Sequence, residues 1–199
     1  MVKKNNHSIF EGKELTWLAT FAIVMIPLST YLLGTKESPF YYSLSMIGNK
    51  SGYRLEFILW GIMTGLFLTF FIERLYALKS FDNPRARNLL ISSLIFLVLT
   101  VLIPYMKDLK ILSKIHNITA AAFGICLTAS LYLFIKYLSE RDHKLYHWSM
   151  IMLYIIIGGS LGLLFLFGRT GVFELFFFFS LSIFLGILNR ELFRRKKNS

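Results

Sequence analysis

The sequence predicts an all-α integral membrane bundle of six transmembrane helices, and three observations carry that prediction. Hydrophobic residues make up 55% of the 199 positions and charged residues only 17%, which lies outside the range of soluble domains. Apolar runs recur six times, each near the length of about 20 residues that a helix needs to cross about 30 Å of hydrocarbon. Basic residues flank these runs and form no zinc-ligand or aromatic-basic pattern. The net charge of +11 therefore argues for a membrane and against nucleic acid. One domain, residues 1–199, is the natural count.

The first helix is expected over about 15–34 with Pro27 set to kink it. Basic residues before it give it the look of a signal peptide, but the run is too long and lacks a small-residue cleavage site, so it reads as a first span. The second helix covers about 55–78 and ends on a polar turn with Glu73 and Arg74. The third, about 89–106, carries Pro104 near its end. The fourth, fifth and sixth cover about 115–138, 148–168 and 172–193.

Orientation follows from the sidedness of Lys and Arg. With the N-terminus inside, seven fall outside: Lys36, Lys50, Arg54, Lys107, Lys110, Lys114 and Arg169. The other fifteen of the 22 fall inside, which predicts that both termini are cytoplasmic. The basic run Arg194, Arg195, Lys196 and Lys197 is expected to meet lipid headgroups. The usage, rich in Lys, Ile, Phe and Asn, points to a bacterial cytoplasmic membrane, so the expected location is a cell membrane, multi-pass.

Small residues recur at spacing four in Gly61 and Gly65, Ala120 and Gly124, and Gly158 and Gly162. Such pairs let helix backbones approach; they read as packing within the chain, with a homo-oligomer through one of these faces as the alternative. The run Phe176–Phe179 reads as packing or lipid-facing surface. Cys126 is the single cysteine, which excludes an intrachain disulfide or a cysteine metal cage.

Candidate chemistry gathers at the outer ends of the helices. Glu56 enters the second helix, His116 and Asn117 enter the fourth, Glu174 enters the sixth, and Arg169 sits in the turn before it. Tyr105, Lys107 and Asp108 close the third helix at the same depth. Tyr41, Tyr42, Ser43, Ser45, Asn49 and Tyr53 lie in the long outer loop. Ionisable groups at this depth are costly unless paired, so Glu56 and Glu174 are expected to meet Arg169, Arg54 or His116. The plainer explanation is that both are first-turn carboxylates favoured by the helix dipole. On the second helix, Glu56 shares a stripe with Trp60, Met63 and Phe67, opposite Gly61 and Gly65, so that helix needs neighbours on two sides.

Catalytic templates fit these residues poorly. A zinc hydrolase needs three ligands and an open position, whereas the outer half holds His116 and two carboxylates. The inner His143 and His147 have i, i+4 spacing beside Glu140 and Asp142, a short motif with a high false-positive rate. Ser43 or Ser45 could act as nucleophile with His116 as base and Glu56 as orienter, but no nucleophile elbow supports it. No Walker loop or dinucleotide fingerprint occurs. No metal and no cofactor is expected.

At SerLeuSerMetIleGlyAsn (43–49), PheIleLeuTrpGlyIle (57–62) and His116, the chain resembles a group of uncharacterised bacterial six-helix membrane proteins, themselves distantly similar to the eukaryotic Frag/DRAM/Sfk membrane family. The resemblance implies a six-helix bundle with a polar site near the non-cytoplasmic side, at Ser43, Ser45, Gly48, Asn49 and His116. It also implies a role in lipid handling or membrane organisation.

The leading expectation is a protein that binds a lipid or another amphipathic ligand in an outward-facing polar pocket, with membrane lipids as its partners. Glu56, Glu174, Arg169, His116, Asn117 and Asn49 would contact the ligand, and Tyr41, Tyr42 and Tyr53 would cover it. The alternative is a membrane-embedded hydrolase or acyltransferase using His116 and nearby carboxylates. A small transporter comes third, because no pair of broken helices marks a midplane site.

Overall fold

The computed structural model describes residues 13–50, 52–105 and 109–197. Lys107, Asp108, the lysines at positions 3 and 4 in the charge count, and the side chains of the basic run at 195–197 lie outside the described ones. The described chain forms seven helices: α1 (Lys13–Gly34), α2 (Leu44–Gly48), α3 (Arg54–Leu78), α4 (Pro84–Leu102), α5 (Lys110–Leu138), α6 (His143–Phe167) and α7 (Gly171–Lys197). All but α2 are long and apolar enough to span a membrane, so the expected fold class is present.

Local chemistry shifts several boundaries away from those set by hydropathy. α4 starts five residues before the expected position because Asn83 caps it, its side-chain oxygen accepting from the amides of Arg85 and Ala86, with Pro84 at the first position, where its missing N–H costs nothing. It ends before Pro104, whose ring disfavours helix in the residue ahead of it. α6 also starts five residues before expectation, where Asp142 accepts from the Leu145 amide at 3.0 Å. α2 is an addition to the expected six: Ser43 caps this five-residue helix by accepting from the Met46 amide at 3.2 Å.

The six spans close into a ring in which α1 packs on α3, α3 on α4, α4 on α5, α5 on α6, α6 on α7, and α7 back on α1. The seam between α5 and α6 is the sparsest of the ring. An even number of crossings brings the start of α1 and the end of α7 to one face, and the α1–α3, α4–α5 and α6–α7 connections to the other, here called the loop face.

The glycine pairs behave differently from one another. A Cβ on Gly61 would lie 2.2 Å from Val101 Cγ1, and one on Gly65 would lie 2.6 Å from Leu94 Cδ1, so these two set the close approach of α3 to α4. Trp60, on another side of α3, donates its indole N–H to Thr30 of α1 at 3.0 Å. α3 thus has the two sets of neighbours its sequence requires. Gly124, Gly158 and Gly162 have nothing within 4 Å of an added Cβ.

Away from the loop face, polar side chains knit the ring. The Tyr76 hydroxyl on α3 donates to Ser130 Oγ of α5 at 2.6 Å, and that hydroxyl donates to the Ala86 carbonyl of α4 at 2.6 Å. Ser130→Ala should lower stability by about 1–3 kcal/mol, the cost of leaving a buried polar partner unmatched, read as a lower Tm in detergent. Arg74, placed by hydropathy in a polar terminal turn, is instead fully buried. It donates to Asn189 Oδ1 of α7 at 2.7 Å and lies over the Phe193 ring at 5.1 Å.

Candidate functional site

α4 holds 19 residues, about 28 Å at 1.5 Å per residue, slightly less than the hydrocarbon core. The carbonyls at its end would be orphaned, and in lipid each unsatisfied group costs several kcal/mol. Two side chains from other helices take them. Arg54 donates to the Leu102 carbonyl at 2.7 Å, and His116 Nδ1 lies 2.9 Å from the Ile103 carbonyl. A carbonyl can only accept, so that nitrogen carries the proton. The Tyr105 ring stands edge-on to the imidazole at 5.8 Å.

The loop from Ser38 to Asn49 folds back onto the start of α7. The Gly171 amide donates to the Tyr42 carbonyl at 2.9 Å, satisfying one of the free N–H groups of the α7 terminus. A Cβ on Gly171 would fall 2.8 Å from that oxygen, so glycine is required there. In the opposite sense, the Leu44 amide at the start of α2 donates to Glu174 Oε2 at 2.6 Å. Glu174 thus meets a backbone donor where a cation was expected, and this is the only hydrogen bond it makes among the described residues. Glu174→Leu should release α2, read as about 10- to 100-fold faster amide exchange at Leu44 and Met46. That range follows from the about 1–3 kcal/mol that a buried donor costs when its partner is removed.

Beneath α2 lies a cavity of about 500 Å³, reached by residues of α2 through α7. This is within the range of sites that bind drug-sized ligands. Its deep wall is aromatic: Phe57 stacks on Trp60 at 5.7 Å, Trp60 meets Phe178 edge-on at 5.2 Å, and Phe178 stacks on Phe123 at 6.1 Å. Ile157, Leu161 and Leu164 of α6 and Ile125 of α5 complete the apolar part. Ala120 and Gly124, expected to bring helices together, line this space instead. Asn117 and Thr128 both line it and lie eleven residues apart on α5, which sets its length along the helix at about 16 Å.

At the loop face the lining turns polar. Ser43, Ser45, His116, Asn117, Arg169 and Glu174, six of the eleven side chains proposed from sequence as ligand contacts or catalytic groups, all border this one cavity, as does Tyr105. The other five do not. Glu56, half-exposed on the outer surface of α3, is ion-paired to Lys36, whereas Trp60, one turn further along the stripe expected to carry both, is buried in the cavity wall. Asn49 caps α2, donating to the Ser45 carbonyl at 2.7 Å and accepting from Arg54 at 3.1 Å. The Tyr53 ring lies under Lys36, and the Tyr42 ring under Lys50, whose hydrogen bond to Glu37 holds its ammonium above the ordinary lysine range. Tyr41 is 78% exposed. Sequence reasoning missed the aromatic wall, Thr100 and the lysines at positions 110 and 114.

The hydrolase geometry is not assembled among the described residues. Ser43 Oγ accepts from Met46 and lies 3.0 Å from Ser45 Oγ, while the hydrogen bond of His116 runs to a backbone carbonyl; no hydrogen bond joins the imidazole to a serine or a carboxylate. Nor do three His, Cys, Asp or Glu side chains gather at one place among the described residues. His143 and His147 sit with ring centroids 4.2 Å apart, His147 Nδ1 bonded to the His143 carbonyl.

Fold and cavity together define a multi-pass helical membrane protein with an amphipathic chamber at one face. Comparison with protein-family models, curated proteins and solved structures found no match for the chain.

Proposed function

We propose that this protein binds a membrane amphiphile, holding its apolar part in the cavity among α3, α5, α6 and α7 and its polar part at the loop face. The observation that supports this is the gradient of the lining: aromatic and aliphatic at depth, then Ser43, Ser45, Asn117, Glu174 and Arg169 at one end. A lipid or similar molecule has that same polarity along its length. The sparse α5–α6 seam gives such a ligand a route from the bilayer. His116 acts chiefly as the cap of α4 and a wall of the site. The excess of Lys and Arg on the terminal side puts the loop face on the non-cytoplasmic side of a cell membrane, and kinship with the six-helix bacterial group is part of the same proposal.

Gly124→Leu tests it. A Cβ at Gly124 has nothing within 4 Å and Gly124 lines the cavity, so the rest of the new side chain can extend into that space, and leucine favours helix over glycine. The variant should fold as well as the parent and lose co-purifying lipid, read by mass spectrometry of gently extracted protein. Equal lipid retention in parent and variant at equal Tm would remove the cavity from the account.

A further inference from the structure

Beside the cavity mouth runs a second, shallower groove of about 660 Å³, lined by Tyr105, Lys110, Ser113, Lys114, Asn117 and Arg169, with Ile118 and Ala121. It shares Tyr105, Asn117, Ala121 and Arg169 with the cavity, so the two spaces adjoin. Among the described residues, three cations border the groove, no carboxylate is in its lining, and none of the three makes an ion pair. Glu174 borders the cavity only. Leu109, at the N-cap of α5, supplies no side-chain hydrogen bond, so the positive end of that helix dipole also faces this region.

From this juxtaposition we infer that the amphiphile is an anionic lipid whose phosphate-bearing headgroup lies in the groove of Lys110, Lys114 and Arg169 while its chain enters the adjoining cavity. The inference rests on the binding proposed above and adds the charge class of the ligand. Arg169 borders both spaces, where a headgroup meets its chain, and its guanidinium can hold two phosphate oxygens. Lys110 and Lys114, one helical turn apart on α5, face the same oxygens as point charges. Asn117 and Tyr105 add uncharged hydrogen bonds at the junction. An isolated anion would use the groove alone; the continuity with an apolar chamber is what selects a lipid.

The experiment measures binding of phosphatidylglycerol, phosphatidylethanolamine and phosphatidylcholine with identical chains by native mass spectrometry of the full chain in neutral detergent. Lys114→Gln, Arg169→Gln and, on α5 away from the groove, Lys136→Gln are compared with the parent, and glycerol phosphate serves as a chainless competitor. Phosphatidylglycerol should bind at least tenfold tighter than phosphatidylcholine. Each groove neutralisation should cut its affinity about fivefold, as expected for a basic residue at an anionic membrane surface, and by more than it cuts that of phosphatidylcholine, whose own ammonium offsets its phosphate charge, with an unchanged Tm as the folding control; Lys136→Gln should change neither affinity. Equal binding of all three lipids, unmoved by neutralisation, overturns the anionic headgroup while the cavity stands. Tightest binding of phosphatidylethanolamine, weakened by Glu174→Gln, overturns it in favour of a zwitterion. Glycerol phosphate competing as well as whole lipid overturns the lipid source, and retention of no lipid at all overturns the underlying reading itself.

Discussion

Trp60→Ala should lower the unfolding free energy by about 2–4 kcal/mol, somewhat below the about 3–5 kcal/mol for truncating a tryptophan buried in a water-soluble core, because in a micelle apolar groups leave one another for detergent rather than water and only the packing loss counts. Trp60 touches three helices. Its ring stacks on Phe57 and meets Phe178 of α7, and its N–H reaches Thr30 of α1. Trp60→Phe keeps most of the ring contact and forfeits the hydrogen bond, so its cost should be about 1 kcal/mol. Denaturation in mixed micelles separates the two; equal losses would mean that the indole N–H, and not the aromatic wall, holds α3 in place.

Gly61→Ala is expected to cost about 1–3 kcal/mol, the range for overfilling a packed contact. The added methyl would fall 2.2 Å from Val101 Cγ1, and a valine on a helix has no alternative rotamer to retreat into. Only a shift of α3 away from α4 relieves it. Val101→Ala removes the obstructing atoms, so the double variant should recover part of the loss, and the cycle should show coupling of at least about 0.5 kcal/mol. Strict additivity would place the two residues on separate surfaces. Gly162→Ala, with open space around the new atom, should not lower Tm and should raise it slightly, since alanine favours helix over glycine.

What could be read from the chain depended on whether the cause was local. Six spans were legible because hydropathy over about 20 residues is a property of each segment alone. A close approach at Gly61 and Gly65 was legible for a similar reason, since small residues at spacing four leave a visible gap in the side-chain pattern, but its partner α4 was not, and the same spacing marks open space at Gly124, Gly158 and Gly162. α2 was not, since five residues of mixed polarity carry no periodicity and are held by partners such as Glu174, 130 positions away. Asn83 and Asp142 were readable as caps but stood outside the apolar windows, so α4 and α6 began before expectation. The same cause hid the basic groove. With the fourth span started at 115, Lys110 and Lys114 counted as loop charges, whereas α5 begins at Lys110 and sets them on one helical face.

The candidate site was half legible. The gathering of Ser43, Ser45, His116, Asn117, Arg169 and Glu174 at one end of the bundle was legible, because topology fixes which helix ends lie together. The direction around each helix was not, which is why Glu56, at the right height, points outward to Lys36. Pairing rules also misled: Glu174 was expected to meet a cation, yet a backbone amide satisfies it. The aromatic wall escaped notice because Phe and Trp look the same in sequence whether they face lipid, a neighbour or an empty chamber.

The contact of the first span with the last, and of α2 with the start of α7, carries a consequence for biosynthesis. More than a hundred residues separate α1 from α7 along the chain, so α1 and the turn behind it must wait, already inserted, until that stretch has emerged. Until then the Leu44 amide lacks Glu174, and translation halted before the final hairpin would leave an unsealed barrel stave for quality-control proteases to grip.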